Sequence, residues 1–333
     1  MSASPDGSAE TVLFDSTELL PETWQKFAVK GPVRAFNPGL LRDRDGWIFA
    51  YRIVADDGLR RIAICRLDQA LGVIGGSQLA LTDLVRFRPG AVYPEIATRW
   101  FADPRLYRLG GRLFIYWNSG WHEPHNCQFL QELDAVTLRP IAHPRELLLR
   151  GERRKLEKNW TFFEPAAGRF HAIYSITPHR VLEFSLAGDG DIVGEETALT
   201  EWSIEGYPAN HGGLRGGSPP VLADGAWWSF CHSVHDGADG YRYAPAAYAF
   251  SAQAPFAPVA RPKAPLNLGG GFGAKRTYAK LNAAVGEVIY PCGAERDGAR
   301  WLVSHGINDE TCAISTVSHE TVLAAVERVP AEN

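Results

Sequence analysis

ADPRLYRLGGRLFIYWN, at residues 102–118, reads as a strand, a glycine-containing turn and a second, strongly apolar strand. This is the sequence pattern of a β-hairpin. The same pattern occurs in FNPGLLRDRDGWIFAYR at residues 36–52, and weaker copies begin at residues 159, 216 and 288. A strand pattern that recurs at intervals of tens of residues predicts a repeat architecture. We therefore expect five related units of β-strands.

The rest of the sequence favours an all-β fold. Sustained helical periodicity is nearly absent, and 33 glycines and 22 prolines interrupt the chain at short intervals. These features predict a five-bladed β-propeller in a single domain over residues 1–333, with blades beginning near residues 36, 102, 158, 215 and 288. Roughly the first 30 residues are expected to pack outside the blades or to close the last one. Two β-sandwich domains are the alternative.

Three segments depart from the strand pattern. Residues 16–26 and 318–326 predict short helices. Residues 255–280, which include LNLGGGFGAKR, predict a long loop over one face of the disc. This loop is not a phosphate-binding P-loop, because the Gly-Lys-Ser/Thr ending of that motif is missing.

Composition and charge argue against several classes of protein. Lys and Arg number 34 against 38 Asp and Glu, so there is no general basic field for a nucleic acid. No stretch approaches the 18 apolar residues of a membrane span and the first residues do not resemble a signal peptide, so we expect a cytoplasmic protein. The five cysteines are scattered, which predicts reduced thiols in the core.

No metal ion or other cofactor is expected. His122 and His125 lack the helical spacing of a zinc protease, and His232 and His235 lack further ligands at a recognisable spacing. The sequence leaves open whether the protein forms a homo-oligomer.

The starts of the first strands are the expected location of a functional site. In a propeller the innermost strands line a channel, and their ends form a funnel where ligands collect. Counting back from the hairpin glycine of each unit gives equivalent positions near Asn37, Asp103, Asn159, Ser218 and Tyr290. Asp103 is the carboxylate of this ring and our candidate general acid or base. A structural alternative is that Asp103 caps the strand and forms a salt bridge with Arg105.

Cationic, amide and aromatic side chains accompany this ring. Cations and glycine amides suit an anion such as phosphate, and aromatic faces suit a sugar ring. The candidate substrate-binding residues are Asn37, Arg105, Trp121, Lys158, Asn159, Trp160, His179, Arg180, His211, Arg215, Tyr290 and Asp309.

The order of short motifs resembles the five-bladed propeller enzymes of the β-mannoside phosphorylase group and the related β-mannosyltransferases. The motifs are NPG, ADPR, EKNW, HRVL, RGGSPPV, AAYAFSAQAPF, YPCG and SHGINDE, between about residues 37 and 309. The resemblance implies that Asp103, in ADPR, is the general acid of phosphorolysis. It also implies that Lys158, in the KN motif, holds phosphate or a sugar phosphate. Ala102 stands where that family usually has glutamate.

These observations lead to the hypothesis of an inverting glycosyl-transfer enzyme, either a glycoside phosphorylase or a glycosyltransferase, that acts on a mannoside-like sugar. One carboxylate suffices when phosphate is the nucleophile, whereas an inverting hydrolase needs a second one to activate water. A glycoside hydrolase that uses Glu157 or Glu164 as its base is one alternative. A non-catalytic glycan-binding or scaffold propeller is another.

Overall fold

The computed structural model describes residues 9–151, 153–269 and 273–330. The protein is all-β, and its strands are, in chain order, β1 (Glu10–Phe14), β2 (Arg34–Asp43), β3 (Gly46–Val54), β4 (Arg60–Leu67), β5 (Ala102–Leu109), β6 (Arg112–Asn118), β7 (Gln128–Leu133), β8 (Arg145–Leu149), β9 (Thr161–Ala166), β10 (Arg169–Ser175), β11 (His179–Phe184), β12 (Ile192–Thr200), β13 (Leu214–Arg215), β14 (Val221–Ala223), β15 (Ala226–Gly237), β16 (Gly240–Ser251), β17 (Pro258–Pro262), β18 (Val285–Asp297), β19 (Arg300–Ile307), β20 (Thr311–Ser318) and β21 (Val326–Arg328). The α-helices are α1 (Gln25–Lys30) and α2 (His319–Ala324), and the 3-10 helices are Glu22–Trp24, Leu81–Asp83 and Glu95–Thr98.

The strands form successive antiparallel groups, and each group contains one of the hairpins predicted from the sequence. The groups are β2–β4, β5–β8, β9–β12, β13–β17 and β18–β20. In the fourth group, Pro219 and Pro220 separate β13 from β14, because proline has no N–H to donate to a ladder. The N-terminal strand β1 completes the last group, with Glu10 opposite Thr316 of β20.

The groups are joined by parallel ladders and by apolar side chains. Ile192 of β12 lies beside Leu147 of β8, and Tyr241 of β16 lies beside Val285 of β18. One core cluster includes residues of both β3 and β20, and others connect the remaining groups through buried aromatic rings. Separate apolar clusters therefore join successive strand groups along the described chain.

A backbone feature that places the candidate site occurs in the first strands of two groups and just before the first strand of a third. Asn37, Asp103 and Asn159 all have left-handed backbones, with φ of 52°, 54° and 68°. Asn and Asp adopt this conformation more readily than other residues with a Cβ. The ladder register also shifts just after Phe36 in β2 and just after Ala102 in β5. We call the end of the molecule at which Asn37, Asp103 and Asn159 lie the mouth.

The helix predicted at residues 318–326 is confirmed as α2, whose N-cap Ser318 accepts a hydrogen bond from the backbone N–H of Thr321. The helix predicted at residues 16–26 is wrong in its bounds, because regular helical structure begins only at Glu22. Pro21 explains this, since proline has no N–H and disfavours a helical conformation in the residue before it. The predicted loop at residues 255–280 contains β17, and its residues 270–272 lie outside the described residues.

Within the described ranges, neither helix has the length and apolar character that crossing a bilayer requires.

Candidate active site

Asp103 is held at the mouth by side chains from two neighbouring strand groups. Only 9% of its surface is exposed. Its Oδ1 accepts a hydrogen bond from Asn37 Nδ2 at 2.8 Å and lies 3.4 Å from Arg52 Nη1, and its Oδ2 accepts one from Asn118 Nδ2 at 3.4 Å. The carboxylate therefore has a fixed orientation at the junction of β2, β3, β5 and β6.

The charges around Asp103 keep it ionised. Burial raises the pKa of Asp103, but Arg52, Lys158, the hydrogen bond from Asn37 and the charge of Arg105 together lower that pKa below its ordinary value. At neutral pH the carboxyl group is thus a carboxylate. At neutral pH such a group accepts a proton when something reduces the positive charge beside it.

Positive charge is concentrated at the mouth although the protein as a whole has a net charge of −4. Burial and the charges of Arg215, Arg52 and Arg105 lower the pKa of Lys158, while Asp103 raises it. Because these cations repel one another and face few acids, a bound anion would be stabilised here.

His232 is a mouth residue that the sequence did not single out among the binding candidates. Its side chain is buried, it stacks on Tyr243 with ring centroids 5.6 Å apart, and its ring centroid lies 4.5 Å from that of Tyr290. Burial and the charges of Arg215, Arg105 and Lys158 lower the pKa of His232 well below its ordinary value. The imidazole is therefore neutral at pH 7. The sequence signal was the strand ending CHS, in which His232 is paired with Arg215 of β13.

Asp309 is a second acid at the mouth. Asn308 and Asp309 form the turn between β19 and β20 with φ of 55° and 58°. Burial raises the pKa of Asp309 and the charge of Asp103 raises it further, against the opposing charges of Arg52 and Arg276. Arg276 Nη1 donates to the Asn308 carbonyl at 2.7 Å, which fixes the turn. The environments of Asp103 and Asp309 thus push their pKa values in opposite directions.

The structure brings several of the other predicted residues to the same end of the molecule. Tyr290 Oη donates to Asn159 Oδ1 at 2.8 Å. Trp121 follows β6 closely, is 67% exposed, and has the Lys155 ammonium 5.8 Å from its ring centroid. Asn126 ties the segment that carries Trp121 to the segment before Lys158, because Asn126 Nδ2 donates to the Glu157 carbonyl at 2.6 Å.

Other predicted residues pack against or pair with other groups of the protein. His179 is fully buried against the rings of Tyr248 and Phe250, and burial lowers its pKa to about 3. The ring of Trp160 is also packed inside the protein, with 2% of the residue exposed. Arg180 pairs with Glu196.

Two further predicted residues have hydrogen-bond partners within the protein. The side chain of His211 is half-buried, and its Nε2 lies 2.9 Å from Asp236 Oδ1. Arg105 is fully buried, and its hydrogen bonds to other groups of the protein are described below.

The two candidate bases of a hydrolase lie in different places. Glu157 is half-buried beside Lys158, accepts a hydrogen bond from Tyr174 Oη at 3.1 Å, and has its pKa raised by burial. Glu164 accepts hydrogen bonds from the backbone N–H groups of Gly110 at 2.7 Å and Gly168 at 2.8 Å. Those glycines lie at hairpin turns at the opposite end of the strands from the mouth, so Glu164 is excluded as the base.

Comparison with known proteins gives fold relatives only. No protein-family model matches the chain, and no curated protein matches it. The chain is similar to the β-1,2-mannobiose phosphorylase of Listeria innocua, with 14% identity, a TM-score of 0.63, and 95% of this chain and 98% of that chain covered. It is similar to a glycosyl hydrolase from Bacteroides ovatus, with 12% identity, a TM-score of 0.58 and coverage of 89% and 87%.

A third similar structure is a mannose phosphorylase from Leishmania mexicana, in complex with phosphate ion, with 10% identity, a TM-score of 0.52 and coverage of 90% and 87%. The chain thus has the fold of propeller enzymes that act on glycosides. Within that class, the resemblance to the mannoside phosphorylases is confirmed at the level of the fold.

Proposed function

We propose that the chain is a single five-bladed propeller that catalyses inverting glycosyl transfer on a mannoside-like sugar, as a glycoside phosphorylase or a glycosyltransferase. Its blades are the five strand groups, and its active site is the mouth. The observation that carries the proposal is the buried carboxylate of Asp103, which lies 3.4 Å from Arg52 Nη1 and whose pKa is lowered by the charges of Arg52 and Lys158. Two fold relatives support the choice of ligands: a mannobiose phosphorylase supports the choice of sugar, and a mannose phosphorylase in complex with phosphate ion supports the choice of anion.

In this mechanism the anion changes the protonation of Asp103. Phosphate held by Lys158 and Arg215 places negative charge beside the cations that keep the pKa of Asp103 low. The pKa of Asp103 then rises, and the carboxyl group takes up a proton from solvent. The acid is therefore generated only when the nucleophile is present.

The chemical step needs one acid and one nucleophile. A phosphate oxygen attacks the anomeric carbon, the bond from that carbon to the glycosidic oxygen breaks, and the departing oxygen takes the proton from Asp103. The products are a sugar 1-phosphate of inverted configuration and a free hydroxyl group. In the reverse direction Asp103 acts as the base that removes a proton from the acceptor hydroxyl.

The sugar is assigned to the remaining polar and aromatic groups of the mouth. In this proposal Asn37, which donates a hydrogen bond to Asp103, and the buried Asp309 bind hydroxyl groups of the transferred sugar. Trp121 offers an exposed ring to the acceptor sugar, because an indole face packs well on the apolar face of a pyranose.

An NMR time course tests this proposal. Wild-type protein and Asp103→Asn are incubated with sugar 1-phosphates and nucleotide sugars, mannose forms first, together with mixed acceptor sugars. We expect the wild type to consume a mannosyl donor and Asp103→Asn to leave it intact. Equal consumption by both proteins would contradict the role of Asp103, and sugar binding without any turnover would favour a glycan-binding propeller.

A hydrolase is the second candidate, and Glu157 favours it. A half-buried carboxyl group with a raised pKa, held by Tyr174 next to Lys158, is a suitable base for activating water. A hydrolase would release free sugar from a mannoside with no dependence on phosphate. Loss of that release in Glu157→Gln would support it, whereas turnover that requires phosphate would argue against it.

A further inference from the structure

Arg105 lies two residues after Asp103 in β5 and makes an unusual set of contacts. The side chain is 0% exposed. Its Nη2 donates to Asn159 Oδ1 at 3.2 Å, to the Gly216 carbonyl at 3.1 Å and to Tyr290 Oη at 3.3 Å. One guanidinium nitrogen therefore contacts three strand groups other than its own.

The second terminal nitrogen of the guanidinium is also used within the protein, whereas Nε has no hydrogen-bond partner among the described residues. Nη1 donates to the Trp160 carbonyl at 3.3 Å, and the guanidinium carbon lies 5.3 Å from the ring centroid of Tyr116. These hydrogen bonds go to carbonyl, amide and hydroxyl oxygens, not to a carboxylate. A buried side chain with these partners is not placed to contact a substrate directly.

The partners of Arg105 are the supports of the proposed anion site. Asn159 directly follows Lys158 and accepts hydrogen bonds from both Arg105 and Tyr290. Tyr290 in turn packs against His232, whose neighbour across the ladder is Arg215. A movement of the Arg105 guanidinium would thus move both Lys158 and His232.

We propose that Arg105 is a positioning residue that sets the distance between the general acid and the bound anion. This inference rests on the proposed function. β5 carries both ends of the arrangement, with Asp103 as the acid and Arg105 as the anchor of the strands that bear the anion ligands. Inverting transfer requires the acid and the nucleophile on opposite sides of the anomeric carbon, so a small error in their spacing slows the reaction.

Lysine cannot replace arginine in this role. The planar guanidinium presents several donors in a rigid fork, whereas the lysine ammonium is a single point charge on a flexible stem. Arg105→Lys therefore retains the positive charge near Asp103 but loses the simultaneous contacts with Asn159, Gly216 and Tyr290. Arg105→Met loses both.

The experiment compares Arg105→Lys and Arg105→Met with Arg108→Met, a matched control at an exposed position of the same strand. Binding of inorganic phosphate is measured by calorimetry, turnover by steady-state kinetics, and folding by circular dichroism. We expect Arg105→Lys to remain folded, to bind phosphate more weakly, and to lose about 10- to 100-fold in kcat, in line with the cost of a small misplacement of reacting groups. Arg108→Met is expected to match the wild type.

The pH profile separates positioning from charge. In the direction of synthesis, where Asp103 is the base, the acidic limb of kcat/KM is expected to stay in place in Arg105→Lys and to move to higher pH in Arg105→Met, because loss of a cation raises the pKa of Asp103. Wild-type kcat and phosphate affinity in Arg105→Lys would overturn the inference. A wild-type protein that turns over no donor and binds no phosphate would instead overturn the proposed function. If both variants fail to fold, the milder Tyr290→Phe, which removes one partner of Arg105, must lower kcat for the inference to stand.

Discussion

Asp103 and Glu164 are both carboxylates that precede a proline in the first strand of a group, yet they lie at opposite ends of those strands. Asp103, at the mouth, is held by the side chains of Asn37, Arg52 and Asn118. Glu164, at the far end, is held by the backbone amides of Gly110 and Gly168.

The difference lies in what each carboxylate can do. Backbone amides at hairpin turns are fixed parts of the scaffold, and a carboxylate that accepts from two of them joins those turns. Side-chain cations can be neutralised by a ligand, so the carboxylate among them can change its protonation when the ligand binds. In the proposed mechanism the same residue class is therefore structural at one end of the strands and chemically adjustable at the other.

The largest effect is expected from removing the adjustable carboxylate. Asp103→Asn keeps a residue that tolerates the left-handed backbone, so it removes the proton transfer with little strain. Turnover should fall by about 10²- to 10⁴-fold, the usual contribution of a general acid. Glu164→Gln is the matched control and should retain turnover. A similar loss of turnover in both variants would contradict the proposal that the carboxylate at the mouth is catalytic and the one at the far end is structural.

A smaller effect is expected from weakening the anion site. Lys158→Met should raise the KM for phosphate by about 10- to 100-fold, since a charge-assisted hydrogen bond contributes about 1.5–3 kcal/mol. Lys263→Met, at an exposed position away from the mouth, is the control. The comparison is made by initial rates over a phosphate series, and an unchanged KM would show that Lys158 does not hold the anion.

The sequence supports the prediction of the hairpins and of some of the site because both depend on local patterns. A glycine turn between apolar strands specifies β5 and β6, and counting back from that turn reaches Asp103. The equivalent count in the first unit reaches Asn37, which the structure places against Asp103. This count works because the two strands carry the same irregularity at the same distance from their turns.

Residues contributed by other strands could not be predicted in this way. Arg52 contacts Asp103 from β3. The position of Arg52 relative to Asp103 depends on the register shift in β2, and no local sequence pattern predicts that shift. The burial of His179 could not be predicted for a related reason. His179 alternates with the half-buried Arg180 along β11, and only the packing of Tyr248 and Phe250 decides which of the two faces the core.

The stability of the mouth should depend on pH through Asp103. Its pKa is lowered on folding, so its ionised form stabilises the protein above the unfolded-state value of about 3.9, and that contribution is lost as the pH falls through the lower folded value. Asp103→Asn should therefore be less stable than the wild type at pH 7, and the difference should shrink below about pH 4. Urea unfolding across this range measures it, and a difference that grows toward acid pH would contradict the assigned direction.

Glu164→Gln should retain turnover, unlike Asp103→Asn, but it should reduce stability. Glutamine offers one side-chain oxygen where the carboxylate used two, so one of the backbone amides of Gly110 and Gly168 loses its partner. The expected cost is about 1 kcal/mol in the free energy of unfolding. Glu195→Gln, which breaks an exposed pair with Arg150, is the control and should cost less.

The smallest effect is expected at the rim of the mouth. Trp121→Ala should raise the KM for the acceptor sugar by about three- to tenfold with little change in kcat, because stacking contributes about 0.5–1.5 kcal/mol. Trp121→Phe keeps an aromatic face and should recover most of the affinity. Trp121 is 67% exposed, so neither change should reduce stability. Weaker acceptor binding without unfolding would show that the rim, like the side chains around Asp103, takes part in binding. If the acceptor KM is the same in all three proteins, the acceptor binds elsewhere, and the adjustable region is confined to the side chains around Asp103.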